Sequence, residues 1–150
     1  MITGIIIVDH GSRSERSNAL LESVVLRFAN AFADTFPIVE GAHMELQRPT
    51  LREAFARAVD RGADHVIVVP FFLAPGKHMT SDIPRLAIEA AECFPGTSVQ
   101  IAEPLGCDDL LVQLLGRRAD AALHQSPAHA LPSNHSCSNR GGKVRPQSRW

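Results

Sequence analysis

The sequence has few cysteines and few aromatic residues. Tyrosine is absent, and aromatic residues make up 5% of the 150 residues. The cysteines, Cys93, Cys107 and Cys137, are odd in number and lack the spacing of a metal site. This pattern gives no disulfide framework and indicates a reduced intracellular compartment. We expect Cys93 and Cys107 to be small apolar packing residues.

Neither charge nor long apolar runs dominate the chain. The formal net charge of −1 gives no general argument for binding nucleic acid or an acidic membrane. Residues 125–150 nevertheless contain four basic residues and no acidic one. The N-terminal apolar run is too short to span a membrane, and no charged segment or cleavage site precedes it. We therefore expect an untargeted, cytoplasmic protein.

The first apolar segment organises the chain. Ile5 to Val8 are consecutive large aliphatic residues, which is typical of a strand buried on both faces. This predicted strand, residues 3–8, ends at a polar turn that contains His10 and Gly11. A helical pattern follows from about Ser14. The segment therefore predicts a strand followed directly by a helix.

The same strand–helix unit recurs three more times. Further strands are predicted at 38–44, 65–69 and 99–102, with helices at 51–60, from about 82, and at 108–123. Thr50 and Glu53 have the spacing of a capping box, and Gly62 suits the end of the second helix. We predict an α/β fold, a three-layer parallel sheet with four βα units, over residues 1–124. Residues 125–150 are predicted to be a disordered basic tail.

Polar side chains follow each predicted strand. In a parallel sheet these loops leave the same edge, which is where ligands bind. Neutral imidazole can bind a divalent metal or accept a proton, and helix N-termini favour anions. The edge is thus expected to bind a large, partly apolar anion together with a metal, through His10, Glu45, Gln47, Lys77, His78 and Glu103, with Arg13 and Arg48 at the mouth.

Simpler interpretations apply to several of these residues. Glu45 and Glu103 each precede a helix and could merely favour its dipole. Phe71 and Phe72 are more typical of packing than of a ligand platform. The remaining histidines of the first 124 residues are expected to be structural or solvated; they are His43, His65 and His124.

Four motifs together resemble a known family. They are VDHGSR at 8–13, AHMELQRPTL at 42–51, VVPFFLAPGKHMTSDIP at 68–84 and EPLG at 103–106. In order and spacing they are similar to the sirohydrochlorin chelatases, small class II chelatases that insert a divalent metal into a tetrapyrrole. The likeness covers about residues 3–124 and is greatest to the sirohydrochlorin ferrochelatases of plants and cyanobacteria.

The resemblance implies a chelatase-like fold and a lyase of siroheme or cobalamin biosynthesis. The reaction would be ATP-independent, with Fe²⁺ favoured, Co²⁺ next and Ni²⁺ also open, and the metal would be a substrate rather than a permanent cofactor. The partners would be a tetrapyrrole and a second copy in a homodimer, with no nucleic acid and no membrane. A plastid relative would need a transit peptide, for which Met1 leaves no room; the plastid stroma is the alternative if such a peptide is missing.

The resemblance also implies residue roles. The catalytic, metal-binding histidines fall on His10 and His78, and His10 would also accept a proton. Plant relatives carry a cysteine-rich C-terminal region for an iron–sulfur cluster, which Cys137 alone does not reproduce. The substrate-binding positions fall on Glu45, Gln47, Phe72, Leu73, Ala74, Pro75, Gly76 and Lys77.

Two other functions use the same edge. A non-catalytic carrier of metal or tetrapyrrole would need the same groups. A phosphoryl-transfer enzyme with His10 as nucleophile is disfavoured, because Asp9 stands where a cation would be needed to meet phosphate.

Overall fold

The computed structural model describes residues 1–74, 76 and 78–125, with the backbone alone at 78 and 79. Met1–Leu114 forms one compact unit that contains the whole sheet, and a second unit begins at Leu115. The strands are β1 (Thr3–Asp9), β2 (Ile38–His43), β3 (His65–Pro70) and β4 (Ser98–Ile101). The helices are α1 (Glu15–Ala31), α2 (Leu51–Asp60), α3 (Ile83–Glu92) and α4 (Asp109–Leu123), and a π-helical turn (His78–Asp82) precedes α3.

The four strands form one parallel sheet in the order β2-β1-β3-β4. In the central strand β1, Ile6 lies opposite Glu40 of β2 and Val68 of β3. Strands alternate with helices along the chain, as the α/β prediction required. The predicted strand ends differ from the observed ones by a single residue.

Helices cover both faces of the sheet, which gives the predicted three layers. Ile6 and Val8 of β1 pack with α2 and α3 around the fully buried Phe55. Ile5 and Ile7 point to the opposite face and pack with α1. Because successive strand residues face opposite sides, β1 is buried on both. Burial of each such aliphatic side chain contributes about 1.5–3 kcal/mol.

The buried face of α1 differs from the expected one. The apolar residues of its helical pattern include Leu20, Leu26 and Phe32, yet these are 58%, 62% and 47% exposed. The face that meets the sheet instead centres on Leu21 and continues through Val25. These residues recur at helical spacing, so only this narrower stripe can reach the sheet.

The helix ends follow the sequence in α2 but not in α3. The predicted capping box of Thr50 and Glu53 is present, and Gly62 has φ +100° just past the end of α2. Asp82 stands at the N-cap position of α3, where Asp is a common residue. Asp82 is itself helical (φ −77°, ψ −46°) and makes no capping hydrogen bond, because the chain enters α3 from the π-helical turn.

The expected packing roles of Cys93 and Cys107 were also wrong. Both thiols are exposed. Cys93 is the residue that ends α3, and Cys107 lies in the turn before α4, so neither faces the sheet. Within residues 1–74, 76 and 78–125, no helix has the length and apolar character needed to cross a membrane.

Candidate functional site at the carboxyl edge of the sheet

The loop after β1 occupies the middle of the carboxyl edge. Because β1 lies between β2 and β3, the His10 loop is flanked by the loops that follow those two strands. His10 is exposed there. Its imidazole meets the Phe72 ring edge to face, with ring centroids 4.6 Å apart and an interplanar angle of 82°. Phe72 therefore forms an aromatic wall beside the imidazole.

The side chains of Asp9 and Asn18 fix the backbone of the His10 loop by hydrogen bonds. The Gly11 amide donates to Asp9 Oδ1 at 2.8 Å. The side-chain amide of Asn18, which is only 5% exposed, makes two bonds to the backbone of Ser12, at 3.0 and 2.8 Å. The sequence patterns did not single out Asn18, which lies one turn into α1 where an apolar residue would be usual.

Gly11 is required by the close approach of the β2 loop. It has φ +78°, which L side chains rarely adopt. A Cβ atom added to Gly11 would lie 2.1 Å from the backbone oxygen of Glu45. The two loops can therefore touch only because residue 11 has no side chain.

Backbone hydrogen bonds join the β2 loop to the His10 loop. The Met44 amide donates to the Asp9 carbonyl at 2.9 Å, and the Glu45 amide donates to the His10 carbonyl at 3.2 Å. The Gln47 amide then bonds back to the Glu45 carbonyl at 2.8 Å. Glu45 and Gln47 are both exposed. The predicted convergence of these two residues with His10 is thus present in the backbone.

His43 lies behind this junction and is 3% exposed. Its Nδ1 is 2.6 Å from Asp9 Oδ1. The two residues are direct partners in the register of β1 and β2. The structural role expected for His43 is confirmed, but its bond to Asp9 was missed. Adjacent strand ends that carry Asp and His are the signal that could have revealed it.

The loop after β3 is tied to its neighbours through its first two residues. The Phe71 amide donates to the Val8 carbonyl at 2.7 Å, and the Phe72 carbonyl accepts from the Leu105 amide at 2.8 Å. Leu73, Ala74 and Gly76 are exposed. Three predicted features lie outside the described structure, namely Pro75, Lys77 and the side chain of His78.

An open pocket of about 530 Å³ lies on the α1 side of His10. Arg16, from the first turn of α1, lines it together with Leu20 and Phe71. Arg13 was expected at this mouth and is exposed, but it does not line the pocket. The pocket thus combines apolar walls with a guanidinium and the N-terminus of a helix, a setting that favours an anionic group.

The fourth loop contributes less directly. β4 is separated from β1 by β3, so the exposed Glu103 is at the far end of the edge from the β2 loop. Among residues with described side chains, no three of the His, Cys, Asp and Glu types come together as a metal cage. Among the described side chains, His10 is therefore a possible metal ligand that is not part of a preformed cluster of three ligands.

Known proteins are similar to this chain in both sequence and fold. The sequence profile of the CbiX family matches residues 4–122. The chain is 48% identical over 120 residues to the chloroplastic sirohydrochlorin ferrochelatase of Arabidopsis thaliana, covering 80% of this chain and 52% of that protein. It is 34% identical over 120 residues to a sirohydrochlorin cobaltochelatase of Sulfolobus acidocaldarius, covering 80% of this chain and 92% of that protein.

A solved structure has the same arrangement of strands and helices. It is the crystal structure of the sirohydrochlorin chelatase SirB from Bacillus subtilis subspecies spizizenii in complex with cobalt. The TM-score is 0.72 at 30% identity, and the match covers 81% of this chain and 51% of SirB. The chain therefore spans about half the length of SirB and of the Arabidopsis relative, and nearly all of the archaeal one.

Proposed function

Because this chain belongs to the CbiX family, we propose that it is a sirohydrochlorin chelatase that inserts a divalent metal, with Fe²⁺ favoured and Co²⁺ next, without ATP. The observation that carries the proposal is the position of His10. Its imidazole is exposed at the end of the central strand, beside an aromatic wall and above an open pocket. Relatives with the names sirohydrochlorin ferrochelatase and cobaltochelatase support the choice of substrate.

In this proposal His10 and His78 bind the metal as it enters. Nitrogen ligands suit iron, cobalt and nickel. The metal is a substrate that must leave with the product, so two histidines are better suited than a closed four-ligand cage. The π-helical turn begins at residue 78, in the loop next to that of His10, which supports the pairing of these residues.

The reaction replaces two pyrrole N–H protons by one divalent ion. Sirohydrochlorin and M²⁺ give the metallated tetrapyrrole and two protons, with no change of oxidation state. His10 is proposed to accept protons from the pyrrole nitrogens and pass them to solvent, to which its side chain is open. Exposure thus supports both roles assigned to His10.

The tetrapyrrole is proposed to lie across the loops after β2 and β3. Glu45 and Gln47 would contact it from one side, and residues 72–77 from the other. The flat Phe72 ring suits a planar macrocycle. Substrate carboxylates would be met by Arg16 at the pocket, with Arg13 and Lys77 as further cations.

We also propose that the chain acts as a homodimer in the cytoplasm. The match to SirB supports the homodimer, because it covers 51% of SirB and two copies of this chain would together have about the length of SirB. Exposed leucines near the edge, Leu73 and Leu105, offer apolar contacts. Sedimentation of the active protein at micromolar concentration tests this; full activity from a species of monomeric mass would contradict it.

Turnover decides the function. The full chain is mixed with sirohydrochlorin and Fe²⁺, Co²⁺ or Ni²⁺ under anaerobic conditions, and absorbance follows the metallated product. We expect many product molecules per protein and the highest kcat/KM with Fe²⁺. Binding of metal and tetrapyrrole without acceleration over the protein-free rate would indicate a carrier instead.

A further inference from the structure

The contact between Asp9 and His43 is not used by the proposed mechanism. His43 is buried, Asp9 is partly buried, and the nitrogen–oxygen distance is 2.6 Å. A carboxylate can only accept, so the ring Nδ1–H is the donor. Charge-assisted bonds of this length are among the stronger ones in proteins. Buried polar groups are normally hydrogen-bonded, and Asp9 is the partner of the buried His43 ring.

Hydrogen bonds of Asp9 fix the backbone on both sides of His10. Asp9 Oδ1 accepts from the His43 ring and also from the Gly11 amide at 2.8 Å. One oxygen atom therefore links the end of β2 to the residue after His10. The Asp9 carbonyl in turn accepts from Met44 at 2.9 Å. The His10 backbone lies between these fixed points.

We propose that Asp9 and His43 form a positioning pair for His10. The inference rests on the proposed function, since it concerns how His10 is presented to the metal. Outer groups that orient a metal ligand typically change metal affinity or activity by about 10–100-fold when removed.

Conservative variants separate position from charge. Asp9→Asn retains an acceptor oxygen for both bonds, whereas Asp9→Ala removes it. His43→Asn keeps a donor nitrogen at the δ position, whereas His43→Leu removes it but fills the buried space. His65 is the matched control, because it hydrogen-bonds to Ser98 and Gln100 at the opposite edge of the sheet.

We measure Co²⁺ binding, sirohydrochlorin binding and the kinetics of Co²⁺ insertion for each folded variant. Asp9→Ala and His43→Leu are expected to weaken Co²⁺ binding and lower kcat/KM for the metal about 10–100-fold, with sirohydrochlorin binding unchanged. Asp9→Asn and His43→Asn should lie within about threefold of the parent, and His65→Leu should match it. The double variant Asp9→Ala/His43→Leu should be no worse than Asp9→Ala, because Asp9→Ala already removes the bond that His43 makes.

Three outcomes would overturn the proposal. Asp9→Asn as impaired as Asp9→Ala would mean that the charge of Asp9 acts on the metal or a proton directly. Parental Co²⁺ binding in His43→Leu would remove the role of the pair. Additive losses in the double variant would make the residues independent. If the parent chain shows no turnover, the proposed function fails, and Co²⁺ binding still tests the positioning.

Discussion

The backbone amide of Glu45 donates to the carbonyl oxygen of His10 at 3.2 Å. This bond joins the two loops just beyond the ends of β1 and β2. A shift of the β2 loop must therefore move the His10 backbone as well. Glu45, proposed to contact the tetrapyrrole, and His10, proposed to bind the metal, are thus joined directly by a backbone hydrogen bond.

Loss of a site histidine should stop metal insertion while sparing the fold. His10→Ala and His78→Ala each remove a proposed ligand, and His10→Ala also removes a proton acceptor, a role worth on the order of 10²–10⁴ in rate. His10 is exposed, so the free energy of unfolding of His10→Ala should fall by about 1 kcal/mol at most. Turnover and sirohydrochlorin binding are measured side by side, with the exposed His124→Ala as control. Retained turnover in His10→Ala would contradict the mechanism.

Glu45→Gln should slow insertion less than either histidine variant. A carboxylate near the site can steer the cation without binding it, which corresponds to about tenfold, at the low end of electrostatic steering. The difference from the parent should shrink at high salt, because screening weakens steering. Initial rates at two ionic strengths give the answer, with Glu103→Gln as control. A loss equal to that of His10→Ala, independent of salt, would make Glu45 a ligand or base.

Gly11→Ala should damage both stability and activity. Any L residue at φ +78° carries a conformational cost of about 1–2 kcal/mol. Gly96→Ala is the matched control, because Gly96 has φ +95° but nothing within 4 Å of an added Cβ. The clash with Glu45 O should make Gly11→Ala clearly the less stable variant in denaturant unfolding, with slower insertion. Equal stability of the two variants would mean that the loops separate freely.

The cap of α2 predicts a pH dependence of stability. The hydrogen bond from the Thr50 backbone N–H, aided by Arg48, lowers the pKa of the Glu53 carboxyl. A lowered pKa means that the stabilisation is present at neutral pH and is lost as pH falls through the folded-state pKa. Glu53→Gln keeps an acceptor oxygen but no charge. The parent should have the higher Tm at pH 7, and the gap should narrow towards pH 3; a constant gap would exclude ionisation as its cause.

Removal of residues 126–150 should leave turnover and Tm essentially unchanged. The segment lacks apolar periodicity, so little buried surface should depend on it. The contribution of its four basic residues can be tested separately with a variant that replaces Arg140, Lys143, Arg145 and Arg149 by Ser. A large fall in Tm or turnover after truncation would show that the segment docks on the domain.

The sequence predicted most of the fold because local signals agreed with the sheet. The aliphatic run at Ile5–Val8, the Thr50–Glu53 box and the glycine at 62 each have one dominant structural meaning. Helix α1 was harder, since Leu20 and Leu21 are equally apolar and only packing decides which one is buried. Asp82 is of a type that commonly caps helices, but the π-helical turn before α3 is not predicted by any local sequence pattern.

The candidate site was predictable in its outline but not in its supports. Parallel topology alone brings His10 and Glu45 to one edge. The Asp9–His43 bond depends on strand register, which becomes known only when β1 and β2 are paired. The two hydrogen bonds between the Asn18 side chain and the Ser12 backbone depend on how closely α1 packs against the sheet. Neither contact follows from a helical or strand period, so the pattern of a single sequence does not predict it.

The central position of β1 has a consequence for motion at the site. Its interior amides, Ile6 to Val8, are bonded between two strands and covered on both faces, so their hydrogen exchange should require global unfolding. The His10 loop therefore grows from one of the slowest-opening parts of the chain. A rigid macrocycle that enters the site must be accommodated mainly by the exposed part of the loop after β3, because the β2 loop is bonded to the His10 loop. The imidazole proposed to bind the metal would then stay anchored at the end of β1.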